Sequence, residues 1–484
     1  MGLDHYGHEI PLVFQRDKFR SVTEIAKHPE LAKRMRSLFY STGLLNDLVF
    51  DDWEEQRPPP PSPRDKSAAS AFDELMNASH DMRAARRGQI HSETKSKLDT
   101  AFAIYRDLCQ DQEDMLNKDF DLRCLCELFN GCRNLREVTL AGNVAPGRSL
   151  NAHRTAFDKA MARASGNGPD GCQWTCAGIR EARAVAFAVA NTDSKLDSLT
   201  LSDVAPALFR SLREWEETFS SHYEDASYEE HREMTDSNLK ALFRPLRRLR
   251  LVLQVWPDPI DETVEEWMDT VVEDMQETFQ TGFLKQVFAG ARELRVLKLA
   301  LPNPDLLDYE DADQFFGFFS LRRVLDDVKF PHLYEISVSR VLVEADHLAN
   351  LLLRHKATLR RLSLSELHIA EPISWLDVFV KFAGQLPNLR KATLRGVFSD
   401  LNHVGRTLDF DDPGTKSFMP ARDIVENFIV KGGEHPVNFY QLLEDTSQRK
   451  PEGYVPPGLP MDNIETDDPI LEYGSDELDE MIWC

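Results

Sequence analysis

No run of about 18 consecutive apolar residues, the length that a membrane-spanning helix needs, occurs in the 484 residues, so no transmembrane helix is expected. Cations are in short supply. There are 57 Lys+Arg against 81 Asp+Glu, a formal net charge of −24, which argues against binding of the whole surface to nucleic acid or to an anionic membrane. The N-terminal residues, with Asp4, His5, His8 and Glu9, have neither the basic nor the apolar region of a signal peptide. Seven cysteines fall into no disulfide-framework spacing, which suits a reducing compartment. Cytoplasm or nucleus is the expected location.

Chemical motifs are missing as well. There is no Gly-x-Ser-x-Gly, no His-Glu-x-x-His and no kinase set. The glycines Gly166, Gly168 and Gly171 are not followed by Lys-Ser or Lys-Thr, and Pro169 removes an amide that a phosphate cradle would use, so this stretch reads as a loop. Cys124-x-Cys126 with Cys132, and Cys172-x-x-x-Cys176, lack the paired knuckles of structural zinc sites and read as buried thiols. Asp308, Glu310, Asp311 and Asp313 lack the Gly and distal Glu of a calcium loop. Cys484 is the last residue, whereas prenylation needs Cys four from the end. His355 lies on an apolar helix stripe and reads as a core or helix-end histidine. No catalytic, cofactor-binding or metal-binding residue is assigned, and catalysis survives only as a hydrolase whose site the motifs do not reveal.

What the chain does contain is a repeated Leu-x-x-Leu-x-Leu. Clear copies begin at Leu135, Leu246, Leu294, Leu359 and Leu389, and weaker ones at Met35, Leu196 and Leu333. In a strand the fourth and sixth positions point to one face and the third and fifth to the other. One face is then apolar and the other charged. The last two intervals, 26 and 30 residues, are near the roughly 20–29 residue period of leucine-rich repeats, and the earlier ones run from 39 to 100.

Between the strands the spacing predicts helices. Trp375, Val378, Phe379, Phe382, Ala383 and Leu386 trace one apolar stripe, and Leu348, Leu351, Leu352, His355 and Leu359 trace another. A long helix is predicted from Val264 to Phe288, and a further one over Leu98 to Cys109, as enlarged outer helices of irregular repeats. The expected fold is α/β, an irregular leucine-rich-repeat-like solenoid with a curved parallel sheet and helices on its convex side. Residues 1–56 form an N-terminal segment with the first strand, and 57–70 a linker around Arg57-Pro58-Pro59-Pro60-Pro61-Ser62-Pro63. An SH3 or WW ligand is the other reading of that linker. Residues 71–430 make the solenoid, and 431–484 an acidic tail that is expected to be mobile.

Charge placement gives the candidate binding residues. Arg248, Arg250, Lys298, Arg361 and Lys391 stand at third and fifth positions, against Glu137 and Glu335, so the concave face is expected to be basic. Arg36, Arg136, Arg247, Arg295, Arg360 and Arg390 stand at second positions, at the strand entrances. Two accounts are open. The cations cover apolar surface with their stems and pair with nearby carboxylates, or they capture an acidic ligand, such as the chain's own Asp476-to-Glu480 segment acting as an autoinhibitor.

The repeat cores, together with Leu352-Leu353-Arg354-His355-Lys356-Ala357-Thr358-Leu359-Arg360-Arg361-Leu362-Ser363-Leu364 and Ala26-Lys27-His28-Pro29-Glu30-Leu31-Ala32-Lys33-Arg34-Met35-Arg36-Ser37-Leu38, resemble filamentous-fungal F-box proteins with degenerate leucine-rich repeats, over roughly residues 17–430. In that family an F-box docks a Skp-type adaptor of a cullin ubiquitin ligase, and the solenoid behind it captures substrates. Gly2 to Phe19 lack the Leu-Pro-x-Glu start of an F-box, so the resemblance is to the solenoid part, and the adaptor is implied only where an F-box is present. It implies a protein partner and recognition without catalysis. A free-standing scaffold or inhibitor unrelated to ubiquitin is the alternative.

Overall fold

In the computed structural model the described residues are 8–12, 14–41, 103, 106–107, 109–141, 178–210, 235–253, 278–300, 320–370, 373–400, 408–410 and 422–433. All of them belong to one compact unit, Met1–Pro436. The linker at 57–70, the glycines at 166–171, the cluster at 308–313, Cys172, Cys176 and most of the 431–484 segment lie outside the described residues.

Among the described residues eleven strands make one sheet: β1 Glu9–Leu12, β2 Ser37–Ser41, β3 Glu137–Ala141, β4 Ser198–Val204, β5 Arg248–Leu253, β6 Val296–Ala300, β7 Glu335–Ser339, β8 Leu342–Val343, β9 Arg361–Ile369, β10 Lys391–Asp400 and β11 Leu408–Asp409. The order is β1-β2-β3-β4-β5-β6-β7-β9-β10-β11, with β8 paired to β9. Every pairing is parallel except β10 with β11. Parallel neighbours need a crossover connection, and among the described residues those connections include nine helices with complete ranges, with a tenth after the last strand. They are α1 Arg16–Lys27, α2 Pro29–Arg34, α3 Phe120–Gly131, α4 Ile179–Ala190, α5 Asp236–Phe243, α6 Phe283–Gly290, α7 Leu321–Leu325, α8 Ala345–Arg354, α9 Trp375–Val380 and α10 Arg422–Lys431.

The eight motif copies are eight neighbouring strands in a single register. Leu38, Val138, Leu199, Leu249, Leu297, Ile336, Leu362 and Ala392 stand side by side, and Tyr40, Leu140, Leu201, Leu251, Leu299, Val338, Leu364 and Leu394 form the next row but one. Both rows are buried. A one-residue slip would turn them all to the other face, so burial pins the register. The first Leu of the motif closes the turn into five of the eight strands: Leu135, Leu246, Leu294, Leu333 and Leu389 donate their amides to the carbonyls of Cys132, Phe243, Ala291, Phe330 and Leu386, at 2.9–3.2 Å. The residue before it ties one unit to the last, since Asn134 Nδ2 donates to the Lys33 carbonyl and Asn388 Nδ2 to the Ala357 carbonyl, both at 2.8 Å.

Successive helices pack on one another, α1 on α3, then α3, α4, α5, α6, α7, α8 and α9 in turn. Their apolar stripes and the two buried strand rows form one continuous core. The architecture is α/β, with a parallel sheet covered by helices on the face that carries the fourth and sixth motif positions. The other face is open at most of its third and fifth positions.

Several expectations change. Of the helix predicted from Val264 to Phe288, residues 264–277 lie outside the described residues, and the remainder is broken: Gly282 at φ 69° separates helical residues 278–280 from a new helix, α6, that starts at Phe283, and glycine takes a left-handed conformation at no steric cost. The Trp375-to-Leu386 stripe holds as a burial pattern, but α9 stops at Val380 and Phe382 and Leu386 are buried from the turns that follow. Of the helix predicted over Leu98 to Cys109 the described residues 103, 106, 107 and 109 are helical, and the helix runs on to Leu116. Three strands carry no motif. β1 is a four-residue edge strand, where Pro11 is tolerated because its missing amide is not needed, and β8 and β11 have two residues each.

Candidate functional site

The open face is built by alternation. Third positions contribute Ser37, Glu137, Ser198, Arg248, Val296, Glu335, Arg361 and Lys391, and fifth positions Phe39, Thr139, Thr200, Arg250, Lys298, Ser337, Ser363 and Thr393, each row in register. Strands about 4.8 Å apart therefore hold these side chains in a fixed grid. Two of them, Phe39 and Val296, are apolar and buried; the small hydroxyl residues are half-buried and the cations exposed.

All five candidate residues, Arg248, Arg250, Lys298, Arg361 and Lys391, lie on this face and are exposed. Three of them are engaged by its own carboxylates. Arg248 reaches over Ser198 on β4 to pair with Glu137 on β3. Glu335 sits between Lys298 on β6 and Arg361 on β9 and pairs with both at 3.4 Å. Arg250 and Lys391 have no carboxylate partner among the described residues. The face also holds Arg395, two residues beyond Thr393 and exposed. Extending the motif by one more alternation would have found it.

At the second positions the arrangement is tighter than spacing suggests. Arg136 donates its amide to the Arg36 carbonyl, Asp197 to Arg136, Arg247 to Asp197, Arg295 to Arg247, Tyr334 to Arg295, Arg360 to Tyr334 and Arg390 to Arg360, at 2.8–2.9 Å. Eight residues, six of them arginines, so line the entrance edge of the sheet. Arg136 Nη1 donates to the Lys195 carbonyl at 2.9 Å, and Arg247 lies 3.9 Å from Asp197.

Compared with known protein families and with curated proteins, the chain matches none.

Beyond the seventh position the strands β7, β9 and β10 each meet a left-handed residue at the same level: Arg340 at φ 57°, Glu366 at φ 50° and Gly396 at φ 67°. The register shifts there between Arg395 and Phe398. Above this bulge His368 and Ser399 are direct neighbours across β9 and β10, hydrogen-bonded through His368 Nδ1. The Ser399 carbonyl accepts Trp375 Nε1 at 3.0 Å. A serine beside a histidine is what an undetected hydrolase would need. Here register alone produces the pair, and catalysis would further require an orienting group and oxyanion donors.

A second polar cluster lies under the helices. Arg180 in the first turn of α4 pairs at 3.1 Å with Asp121 in the first turn of α3. Glu181 and Tyr40 are buried beside them. Burial pushes the Glu181 carboxyl up to about 8 and raises the Tyr40 hydroxyl well above its usual value; it also raises Asp121, although Arg180 opposes it. The sequence carries no signal for this cluster, because acidic residues in the first turn of a helix are ordinary there. Cys124 and Cys132 are buried free thiols, and burial raises both to about 11, far from the thiolate that metal binding or catalysis uses. Cys124 and Cys126 share α3.

Proposed function

We propose that the chain is a non-catalytic recognition solenoid that holds a partner protein against the open face of its sheet, as the substrate-binding part of an F-box ubiquitin-ligase receptor does. The observation that carries this reading is the grid itself: eight neighbouring strands in one register, buried on one face and offering exposed cations among small hydroxyl residues on the other. Such a surface is wide, rigid and adjustable residue by residue without disturbing the core. Curvature follows from dimensions, since a helix about 10 Å across cannot match a strand spacing of about 4.8 Å unless the helix row lies on the outside of a bend. The open face is then the concave one. A protein of this kind works in the cytoplasm or nucleus, where its buried thiols stay reduced.

A second reading is a free-standing scaffold or inhibitor. Residues 8–41 favour it, because they form β1, α1, α2 and β2 and are spent on the sheet itself, leaving none of them for docking an adaptor. A hydrolase acting through Ser399 and His368 is the remote third.

The test is affinity purification with mass spectrometry from the native organism, using wild type and a Thr200→Trp, Ser337→Trp, Ser363→Trp variant whose folding is checked by thermal unfolding. Loss of specific proteins from the variant supports the face. Co-purification of a Skp-type adaptor selects the receptor reading, and its absence beside retained partners selects the scaffold. Identical partner sets for both proteins refute the open face as the binding surface.

A further inference from the structure

On the open face the chain answers Arg248, Lys298 and Arg361 with its own carboxylates, Glu137 and Glu335. At the entrance edge Asp197 lies beside Arg247, but from β6 onward no described carboxylate does the same. From β6 to β10 the ladder runs Arg295, Tyr334, Arg360, Arg390, with Lys391 directly after the last. The four cations are exposed, and no described carboxylate pairs with any of them. Neighbouring rungs are about 4.8 Å apart, so these like charges repel one another at low ionic strength, in a chain with 81 acidic residues that could have neutralised them.

We propose that this arginine ladder binds a carboxylate-rich segment of the partner protein, laid along the edge across β6, β7, β9 and β10. The inference rests on the recognition reading above and names the chemistry of the partner. Guanidinium groups fit carboxylates bidentately, which the compact ammonium of lysine does not. Same-side residues of an extended peptide recur every 6.6–6.8 Å or so, a spacing that flexible arginine side chains rooted about 4.8 Å apart can follow. Tyr334, half-buried between Arg295 and Arg360, offers a hydroxyl at the one uncharged rung. A nucleic-acid strand fits less well, because one half-buried tyrosine is no platform for stacked bases.

The experiment uses the full chain and three probes: a labelled ten-residue Glu/Asp peptide, its Gln/Asn counterpart, and a single-stranded DNA of similar length. Binding is measured at low and high salt for wild type, for Arg295→Gln, Arg360→Gln, Arg390→Gln, and for a control with the same charge change on the helix side, Arg20→Gln, Arg123→Gln, Arg244→Gln. The acidic peptide is expected to bind wild type, to weaken with salt, and to lose about tenfold in affinity with the ladder variant, while the control stays near wild type and neither other probe competes. No binding of the acidic peptide at low salt, equal losses in ladder and control variants, or tighter binding of the DNA would each overturn the proposal. If the native partners are lost only when Thr200, Ser337 and Ser363 are filled, recognition by the face stands and the ladder is wrong. If neither set of substitutions alters capture, both readings fail.

Discussion

Glu426 on α10 takes the place of a missing strand for Leu394. Its Oε1 accepts the Leu394 amide of β10 at 2.9 Å, and Arg422 Nε holds the same oxygen at 2.8 Å. An open sheet edge presents unpaired amides that invite pairing with another chain, and β11 covers β10 only at Val397 and Phe398. Helix α10 thus closes the edge where β11 does not reach. Glu426→Ala should cost about 1–3 kcal/mol through the unsatisfied amide and should promote self-association through the exposed edge. Glu426→Gln keeps an acceptor and should cost less. Chemical denaturation and sedimentation velocity check both; a monomeric Glu426→Ala protein of wild-type stability would show that the carboxylate caps nothing.

The same helix is locked by a contact between two glycines. A Cβ on Gly384, which has φ 68°, would lie 2.8 Å from the Gly432 Cα, and the Gly384 amide donates to the Ile429 carbonyl at 3.1 Å. Both the left-handed backbone and the missing space exclude a side chain. Gly384→Ala should therefore destabilise by more than about 1 kcal/mol, and limited proteolysis should cut first around α10.

The strand register can be tested on adjacent residues. Leu362 is buried between Ile336 and Ala392, whereas Ser363 faces the open side. Leu362→Ala should cost about 2–5 kcal/mol, and Ser363→Ala should stay within about 0.5 kcal/mol of wild type. Equal effects in thermal unfolding would contradict the register.

His355, at the C-terminal end of α8, ties two units together as a neutral ring. Its Nε2 accepts the Phe330 amide at 3.0 Å, its Nδ1 donates to the Leu351 carbonyl at 2.8 Å, and the ring stacks on Phe330. Burial lowers its affinity for a second proton below the ordinary value of 6.5. The folded state then binds fewer protons than the unfolded one, so the stability it contributes is present above pH 6.5 and is lost as pH falls through the lowered value. His355→Asn should be less stable than wild type at pH 7.5, with a gap that narrows in acid. Denaturation midpoints across pH 5–8 read it.

Glu181 works in the opposite sense. Its folded-state value of about 8 stands above the ordinary 4.5, so its share of stability is complete below pH 4.5 and declines as pH rises toward 8. Glu181→Gln should match wild type near pH 4.5 and gain on it by roughly 1 kcal/mol per pH unit up to about 8. A gap that does not vary with pH would mean that the carboxyl is not buried as an acid.

By itself the sequence determined the α/β class, the eight strands, which side chain of each faces the core, and the positions of the face and edge cations. These follow from local rules: a period of two sorts a strand's residues onto two faces, and an apolar stripe marks a helix side. It even marked His355 as a core or helix-end residue, and it is both. Tertiary structure decided the rest. That Arg248 passes over β4 to Glu137, that Lys298 and Arg361 share Glu335, and that Arg295, Arg360 and Arg390 come into one ladder depend on which strands are neighbours. Neighbourhood across 39 to 100 residues of intervening chain leaves no periodic trace, and even a 26- or 30-residue period does not say which side chains on adjacent strands pair. The capping of Leu394 by Glu426 and the contact of Gly384 with Gly432 were hidden for the same reason, because an edge exists only once the sheet has formed. The break at Gly282 is a different case: the apolar period runs through it, and backbone conformation overrode the pattern.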